Sequence, residues 1–252
     1  MQESVSMLER DPVLAPPPAL DFAHTALFLD LDGTLAPIAP QPRDVGPLPE
    51  RTRLLQEAAE RLNGRLAVIS GRALADIDHI LQRSVTAAAA VHGLVRRNAR
   101  GAVFSRPPHP GLNSARIALD WLVDQPGILV EDKGLGLAVH YRKAPDRAEE
   151  VLAACSRVAE ASGLSLQPGH MVAELRTPGP DKGDSVRAFM EEPPFVGATP
   201  IFIGDDLTDE DGFTAVVEFG GYGVLVGENR RTAARHRLPD VEAVLAWLAG
   251  AS

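Results

Sequence analysis

Three short apolar runs constrain this chain more than anything else in it: "ALFL" at 26–29, "LAVI" at 66–69 and "PIFI" at 200–203. None of them alternates with polar residues. A strand with one wet face shows a period of two, whereas a strand of a parallel sheet is covered by helices on both faces and reads as continuously apolar. Two weaker runs, "TAAAAV" (86–91) and "GVLV" (223–226), extend the series. Helical patterns lie between them. "PERTRLLQEAAERLNG" starts with Pro49, ends on Gly64, and places Leu54, Leu55, Ala58, Ala59 and Leu62 on one face. "RALADIDHIL" and the closing "LPDVEAVLAWLAG" repeat that stripe. Strands alternating with such helices predict a Rossmann-like, doubly wound α/β core with a parallel sheet.

The middle of the chain breaks the pattern. After "SRPPHPG" come a helix-like "LNSARIALDWLVDQ", an apolar pair of strands in "PGILVEDKGLGLAVHYRKAP", a helix-like "DRAEEVLAACSRVAEASG" and a second strand pair in "LSLQPGHMVAELRT". Helix–hairpin–helix–hairpin is an antiparallel α+β plan, so residues 110–176 read as a module inserted into a core formed by 25–109 and 177–252. The second hairpin is expected to turn at Pro168-Gly169. Residues 1–24, with prolines at 16–18, read as an extended and poorly structured lead-in.

Composition removes several classes of function. The net charge is −9 and no block of basic residues occurs, so a nucleic acid is not an expected partner. No apolar run approaches the ~20 residues that a membrane-spanning helix requires. The N-terminal stretch carries acids early and lacks the apolar core of a signal peptide. Cys155 is the single cysteine, which forbids an intramolecular disulfide and suits a reducing cytoplasm. A monomer acting on a small molecule is the expectation.

Each of the three strong runs ends in residues that handle charge: Asp30, Asp32, Gly33 and Thr34 after the first, Ser70-Gly71-Arg72 after the second, Gly204-Asp205-Asp206 after the third. In an extended chain residues two apart share a face, with Cα atoms ~6.6 Å apart, so Asp30 and Asp32 can serve one site. Open α/β sheets bind ligands beyond the carboxyl ends of their strands, where all three loops are expected.

These strings, in this order, resemble a known family. "DLDGTL", "SGR", "DKG" and "GDDLTDED" follow the order of the haloacid dehalogenase-like (HAD) phosphatases, and "VHG", "EDKGLGLAVHYR" and "AELR" are similar to the trehalose-6-phosphate phosphatase family within them. The likeness runs from about residue 26 to 248. It implies a HAD core with an inserted α+β cap and hydrolysis of trehalose 6-phosphate to trehalose and phosphate. It also implies Mg²⁺, a hard cation that takes oxygen ligands and would offset repulsion between carboxylates and phosphate.

The resemblance assigns roles residue by residue. Asp30 is the nucleophile that forms an aspartyl-phosphate, and Asp32 the acid that protonates the leaving sugar oxygen and then the base for water. Asp30 and Asp205 are implied as side-chain metal ligands, with Asp32 adding its backbone carbonyl; Asp206 and Asp209 support them from behind. Lys182 offsets phosphoryl charge, and Ser70 bonds phosphoryl oxygens from a helix N-terminus. Gly33, Thr34, Gly71 and Arg72 border the substrate. Glu131, Lys133, Glu174 and Arg176 are the cap positions for the sugar. Glu210 and Asp211 fit the first turn of a helix, and His140 and Arg142 fit structural roles better than chemical ones. His92 also reads as structural, although the resemblance places its loop near the site and keeps it as a weak candidate. Phosphatases of the same core acting on sucrose phosphate, mannosyl-phosphoglycerate or glucosylglycerol phosphate share these core motifs. A silent sugar-phosphate sensor and a phosphomutase are the other readings of the same strings.

Overall fold

A computed structural model describes residues 14–169 and 171–250. In chain order the elements are β1 (Thr25–Leu29), α1 (Pro49–Arg61), β2 (Leu66–Ile69), α2 (Leu74–Leu81), β3 (Ala87–Ala90), β4 (Val95–Arg97) and β5 (Val103–Ser105). There follow α3 (Leu112–Leu119), β6 (Leu129–Asp132), β7 (Gly136–His140), α4 (Ala148–Ser162), β8 (Ser165–Gly169) and β9 (Val172–Arg176). The chain continues through α5 (Lys182–Met190), β10 (Thr199–Gly204), α6 (Glu210–Glu218), β11 (Tyr222–Val226), β12 (His236–Leu238) and α7 (Val241–Ala249).

Eight strands form one sheet in the order β12-β11-β10-β1-β2-β3-β4-β5. Pairing is parallel from β12 to β3 and antiparallel through β4 and β5. The continuous apolar runs are buried on both faces, as their lack of alternation predicts. Leu27 and Leu29 of β1 point into a cluster with Leu55 of α1, Ile80 of α2 and Leu248 of α7. Their neighbours Ala26 and Phe28 point the other way, towards Val186 and Phe189 of α5 and Phe213 of α6. On that second face Phe28 and Phe195 stack at 5.5 Å between centroids, with Phe189 tilted 5.2 Å from Phe195. Helices on both faces make the core doubly wound.

The weak alanine run forms β3, as the series predicts, despite its helical propensity, because Ala87–Ala90 are buried in register with β2 and tertiary context overrides intrinsic preference. Two details differ from expectation. The hairpin β4–β5 has no apolar run to announce it: its residues are half-buried or exposed, and two of the three in β4 are arginines. Residues 14–21 form no helix or strand, yet they are pinned rather than loose. Trp247 Nε1 donates to the Pro18 carbonyl at 2.8 Å, and Arg237 N to that of Ala15 at 3.0 Å. The part of the lead-in before residue 14 lies outside the described residues.

A second sheet, β6-β7-β9-β8, is antiparallel throughout and carries its own apolar cluster, in which Leu119 of α3 and Val151 and Cys155 of α4 pack on Val139 and Leu175. The helix–hairpin–helix–hairpin order is the expected one. Its second turn is not at Pro168-Gly169. Both residues belong to β8, where Pro168 pairs with Ala173 and Gly169 with Val172. Proline is tolerated there because β8 is an edge strand with no ladder partner on its outer side. The apolar alternates of β7 and β9 face the helices. Glu131, Ala138 and Glu174 stand on one rung across β6, β7 and β9, so the two glutamates share the opposite face with only an alanine between them.

Among the described residues no helix is long and apolar enough to cross a membrane.

Candidate active site

The carboxyl ends of β1, β2 and β10 converge on one polar cluster beneath the second sheet. Asp30 follows β1 and is 5% exposed; its amide donates to the Ile203 carbonyl at 2.9 Å, which ties it to β10. Carboxylate oxygens of Asp30, Asp205 and Asp209 lie within 4.8 Å of one another. Lys182, the first residue of α5 and 3% exposed, donates to Asp30 Oδ1 at 2.9 Å and to Asp209 Oδ1 at 2.6 Å. Its placement follows from a cap: Asp181 accepts from the Asp184 amide at 2.7 Å and sets where the helix starts.

Three carboxylates and one ammonium in a buried space do not balance. Burial raises the Asp30 carboxyl well above the usual carboxylate range, and its neighbours Asp209 and Asp205 add to this while Lys182 opposes it. Asp205 is pushed up to about 7 by burial first and then by Asp209. Burial disfavours the charge on Lys182, but Asp209 and Asp30 overcome that and hold it as an ammonium. Asp205 Oδ1 is buried with no hydrogen-bond partner. A buried oxygen of this kind is costly unless something cationic or protic meets it. An oxygen-rich, electron-rich cluster with one orphaned oxygen fits a hard divalent cation. Both oxygens of Asp209 already accept a hydrogen bond, Oδ2 from the Asp206 amide at 2.9 Å and Oδ1 from Lys182.

Gly33 is required by this packing. Its φ is +83°, and a Cβ built there would lie 2.1 Å from Asp205 Oδ2. Thr34 is buried, and its Oγ1 has no partner. Asp32 does not point into the cluster alone; Arg72 grips it with a two-pronged ion pair, Nε to Oδ2 and Nη2 to Oδ1, both 2.7 Å. The same guanidinium donates to the Pro42 carbonyl at 2.9 Å, so Arg72 orients the loop after β1 together with the carboxylate. Behind it, buried Arg51 donates to the Gly46 and Ile80 carbonyls at 2.8 and 3.0 Å. Arg51 stands on the apolar face of α1, three, four and seven residues before Leu54, Leu55 and Ala58, and that lone charge in the buried stripe is the signal by which the sequence could have shown it.

Ser70 follows β2, and its Oγ accepts from the Arg72 amide at 3.2 Å. The expected helix N-terminus is not there: α2 begins at Leu74, and its N-cap is Ala73. Ser70 therefore shapes the 70–72 turn and borders the cavity from a loop.

From the second sheet four groups face this cluster. Glu131 accepts from His140 at 2.9 Å. Lys133 Nζ donates to Glu174 Oε1 at 2.5 Å and to the Gly71 carbonyl of the core at 3.1 Å. Glu174 Oε2 lies 2.8 Å from Nε2 of His92, a core residue. Burial works against ionisation of Glu174, but Lys133 and His92 hold its carboxyl far below the usual range. His92, expected to be structural, thus borders the cavity; its left-handed φ of +54° is the local sign, since non-glycine residues rarely adopt it. His140 and Arg142 also line the space, contrary to their reading as bystanders.

Arg176 is not brought to the site. Its guanidinium donates to Gln167 Oε1 at 2.8 Å and to the Pro180 carbonyl, staking the segment between β9 and α5. The physical reason is register: Arg176 lies two residues beyond Glu174, on the rung with Gly136 and Ser165 at the end of the sheet. Asp206 caps the 3-10 turn at 207–209 by accepting from the Leu207 amide at 2.7 Å. Glu210 and Asp211 do fall in the first turn of α6, but Glu210 also binds Arg230 and accepts from the Ala233 amide at 2.7 Å.

Between the two sheets lies a cavity of about 350 Å³. Its lining brings together Asp30, Asp32, Asp205 and Lys182 of the core and Glu131, His140 and Glu174 of the second sheet's module.

Comparison with known proteins agrees with this geometry. A family model described as trehalose-phosphatase matches residues 28–242. The trehalose-6-phosphate phosphatase of Escherichia coli (strain K12) is 38% identical over 229 residues, 90% of this chain and 86% of that protein. A crystal structure of a trehalose-6-phosphate phosphatase related protein superposes with a TM-score of 0.74 at 26% identity, over 88% of this chain and 95% of the other. A phosphatase of the haloalkanoate (HAD) enzyme superfamily from Bacteroides thetaiotaomicron shares the fold at a TM-score of 0.59 and 16% identity, covering 90% of this chain and 93% of its own. Matched along nearly its whole length, with a carboxylate cluster at the sheet edge where the shared motifs fall, the chain belongs to the trehalose-phosphatase family.

Proposed function

We propose that the protein hydrolyses trehalose 6-phosphate to trehalose and phosphate through a covalent phosphoryl–Asp30 intermediate, and that it uses Mg²⁺. The observation that carries this reading is one cavity lined both by Asp30 and Lys182 of the core and by the glutamates of the second sheet. Residues 110–176 act in it as a cap that supplies sugar specificity, and 25–109 with 177–252 as the catalytic core. A cytoplasmic setting belongs to the same reading, supported by the lone buried thiol of Cys155.

The cation would be held by side-chain oxygens of Asp30 and Asp205 and the backbone carbonyl of Asp32, where it supplies charge neutralisation that lets a carboxylate approach a phosphate dianion. The chain's own groups do the rest. Lys182 holds Asp30 Oδ1, which fixes the carboxylate and leaves Oδ2 to form the bond to phosphorus as the bond to the sugar oxygen breaks. In the resting structure Arg72 holds Asp32 as a carboxylate in a two-pronged ion pair. The fork therefore opens at one oxygen, that oxygen takes up a proton from solvent, and Asp32 gives this proton to the departing sugar oxygen. In the second half, Asp32 takes a proton from the water that attacks phosphorus, and phosphate leaves Asp30 free. Asp209 does not touch the phosphoryl group; it anchors Lys182.

A panel of sugar phosphates at equal concentration tests the reading by phosphate release with and without Mg²⁺. The expected result is highest kcat/KM for trehalose 6-phosphate and loss of activity with chelator; preference for sucrose phosphate or glucosylglycerol phosphate would replace the substrate assignment.

A further inference from the structure

His92 is held in a conformation that needs an explanation. Val91 and His92 are consecutive non-glycine residues with φ of +48° and +54°. Strained backbone persists only where its surroundings over-determine it. Here they do: the Val91 amide donates to the Arg72 carbonyl at 2.9 Å and the His92 amide to that of Ser70 at 3.0 Å, which sews this turn to the 70–72 loop. The result is an imidazole, 7% exposed, aimed out of the core at the second sheet. Glu174 stays ionised and can only accept, so His92 Nε2 is the donor in their 2.8 Å bond. Lys133 closes the group by donating to Glu174 and to the Gly71 carbonyl. Gly71 leaves just enough room, because a Cβ there would lie 2.5 Å from His92 Nε2.

We propose that His92 is a positioning residue for sugar recognition: from the core it orients Glu174, and through Glu174 the neighbouring Lys133, so that the cap presents its polar groups to the sugar hydroxyls only when seated on the core. This deepens the function proposed above and rests on it. Within the cap the two residues hold only each other, through the Lys133–Glu174 bond. Each is also held by a core atom, Glu174 at His92 and Lys133 at the Gly71 carbonyl. His92 touches neither the nucleophile nor the acid.

Steady-state kinetics on His92→Ala and His92→Gln, each with trehalose 6-phosphate and with p-nitrophenyl phosphate, test the assignment. The aryl ester has no sugar to position. His92→Ala is expected to lower kcat/KM for trehalose 6-phosphate by about tenfold or more, the worth of one hydrogen bond to a charged group, chiefly through KM. On the aryl ester it stays within about twofold of wild type, by the size expected where no such bond is used. His92→Gln, whose amide can donate from near the Nε2 position, is expected to recover most of the loss. Equal loss on both substrates, or no loss on either, or a glutamine variant no better than alanine, would overturn the positioning role. A wild-type enzyme that does not favour trehalose 6-phosphate over glucose 6-phosphate would instead overturn the substrate reading, and with it this inference.

Discussion

Lys182 makes the buried carboxylates at the sheet edge tolerable. It is the cation that the hydrogen bonds place between Asp30 and Asp209, and removing one member of a buried pair typically costs ~3–5 kcal/mol because the partner charge is stranded. Lys182→Ala is therefore expected to abolish turnover and to lower stability by about that much in chemical denaturation, whereas Asp30→Asn should abolish turnover alone. For Asp30→Asn the expectation is a fall in kcat of about 10⁴-fold or more with the circular dichroism spectrum unchanged. Cys155 offers a check on the second sheet's core. Burial pushes its thiol up to about 11, so at pH 7.5 iodoacetamide should leave it unlabelled in the folded protein and label it after unfolding. Rapid labelling of the native protein would mean that the packing of α4 on the sheet is looser than described.

At the scale of elements, the loop after β1 shows how turn chemistry serves the site. Gly33 combines a left-handed φ with van der Waals contact to Asp205, so Gly33→Ala should strain the turn and displace a carboxylate of the cluster. Activity is expected to fall by about 10²-fold or more, consistent with catalytic geometry that does not tolerate a displacement near 1 Å. Wild-type activity in that variant would show that the turn has slack. Such glycines, the continuous apolar strands and the paired motif aspartates are legible in the chain before any coordinates, because each follows from local geometry: a period, a φ, a spacing of two. What stays hidden depends on distant partners. Nothing near Arg72 in sequence says that it will fork onto Asp32. Nothing near Arg176 says that register carries it past the cavity to Pro180. His92 looks like a loop histidine until its left-handed backbone and Glu174, 82 positions away, are seen together. The hairpin β4–β5 escaped for a different reason, since half-exposed edge strands carry little apolar signal.

For the whole molecule, stability and cation binding should be coupled through Asp205. Its carboxyl, raised to about 7 in the metal-free fold, holds a proton that the unfolded chain has already lost above its ordinary value of 3.8. The native state then binds more protons than the unfolded state between these two values, so its stability falls as pH rises from about 4 to 7. A cation replaces that proton and should reverse the loss. Melting temperatures of the chelator-treated protein are expected to decline across this range, more steeply than those of Asp205→Asn, and Mg²⁺ near pH 7.5 should raise the wild type alone. Identical pH profiles for the two proteins would contradict the raised Asp205 carboxyl, and an equal Mg²⁺ effect on both would remove Asp205 from the cation site.

The central claim is that the cavity exists to carry a phosphoryl group from the sugar onto Asp30. Its most direct test is a single turnover with trehalose 6-phosphate labelled at phosphorus, quenched in acid within milliseconds, with the label followed into peptides. The account predicts transient label on the peptide containing Asp30, kinetically competent to yield phosphate and missing from Asp30→Asn. Phosphate released at the full rate with no protein-bound label at any time would contradict it.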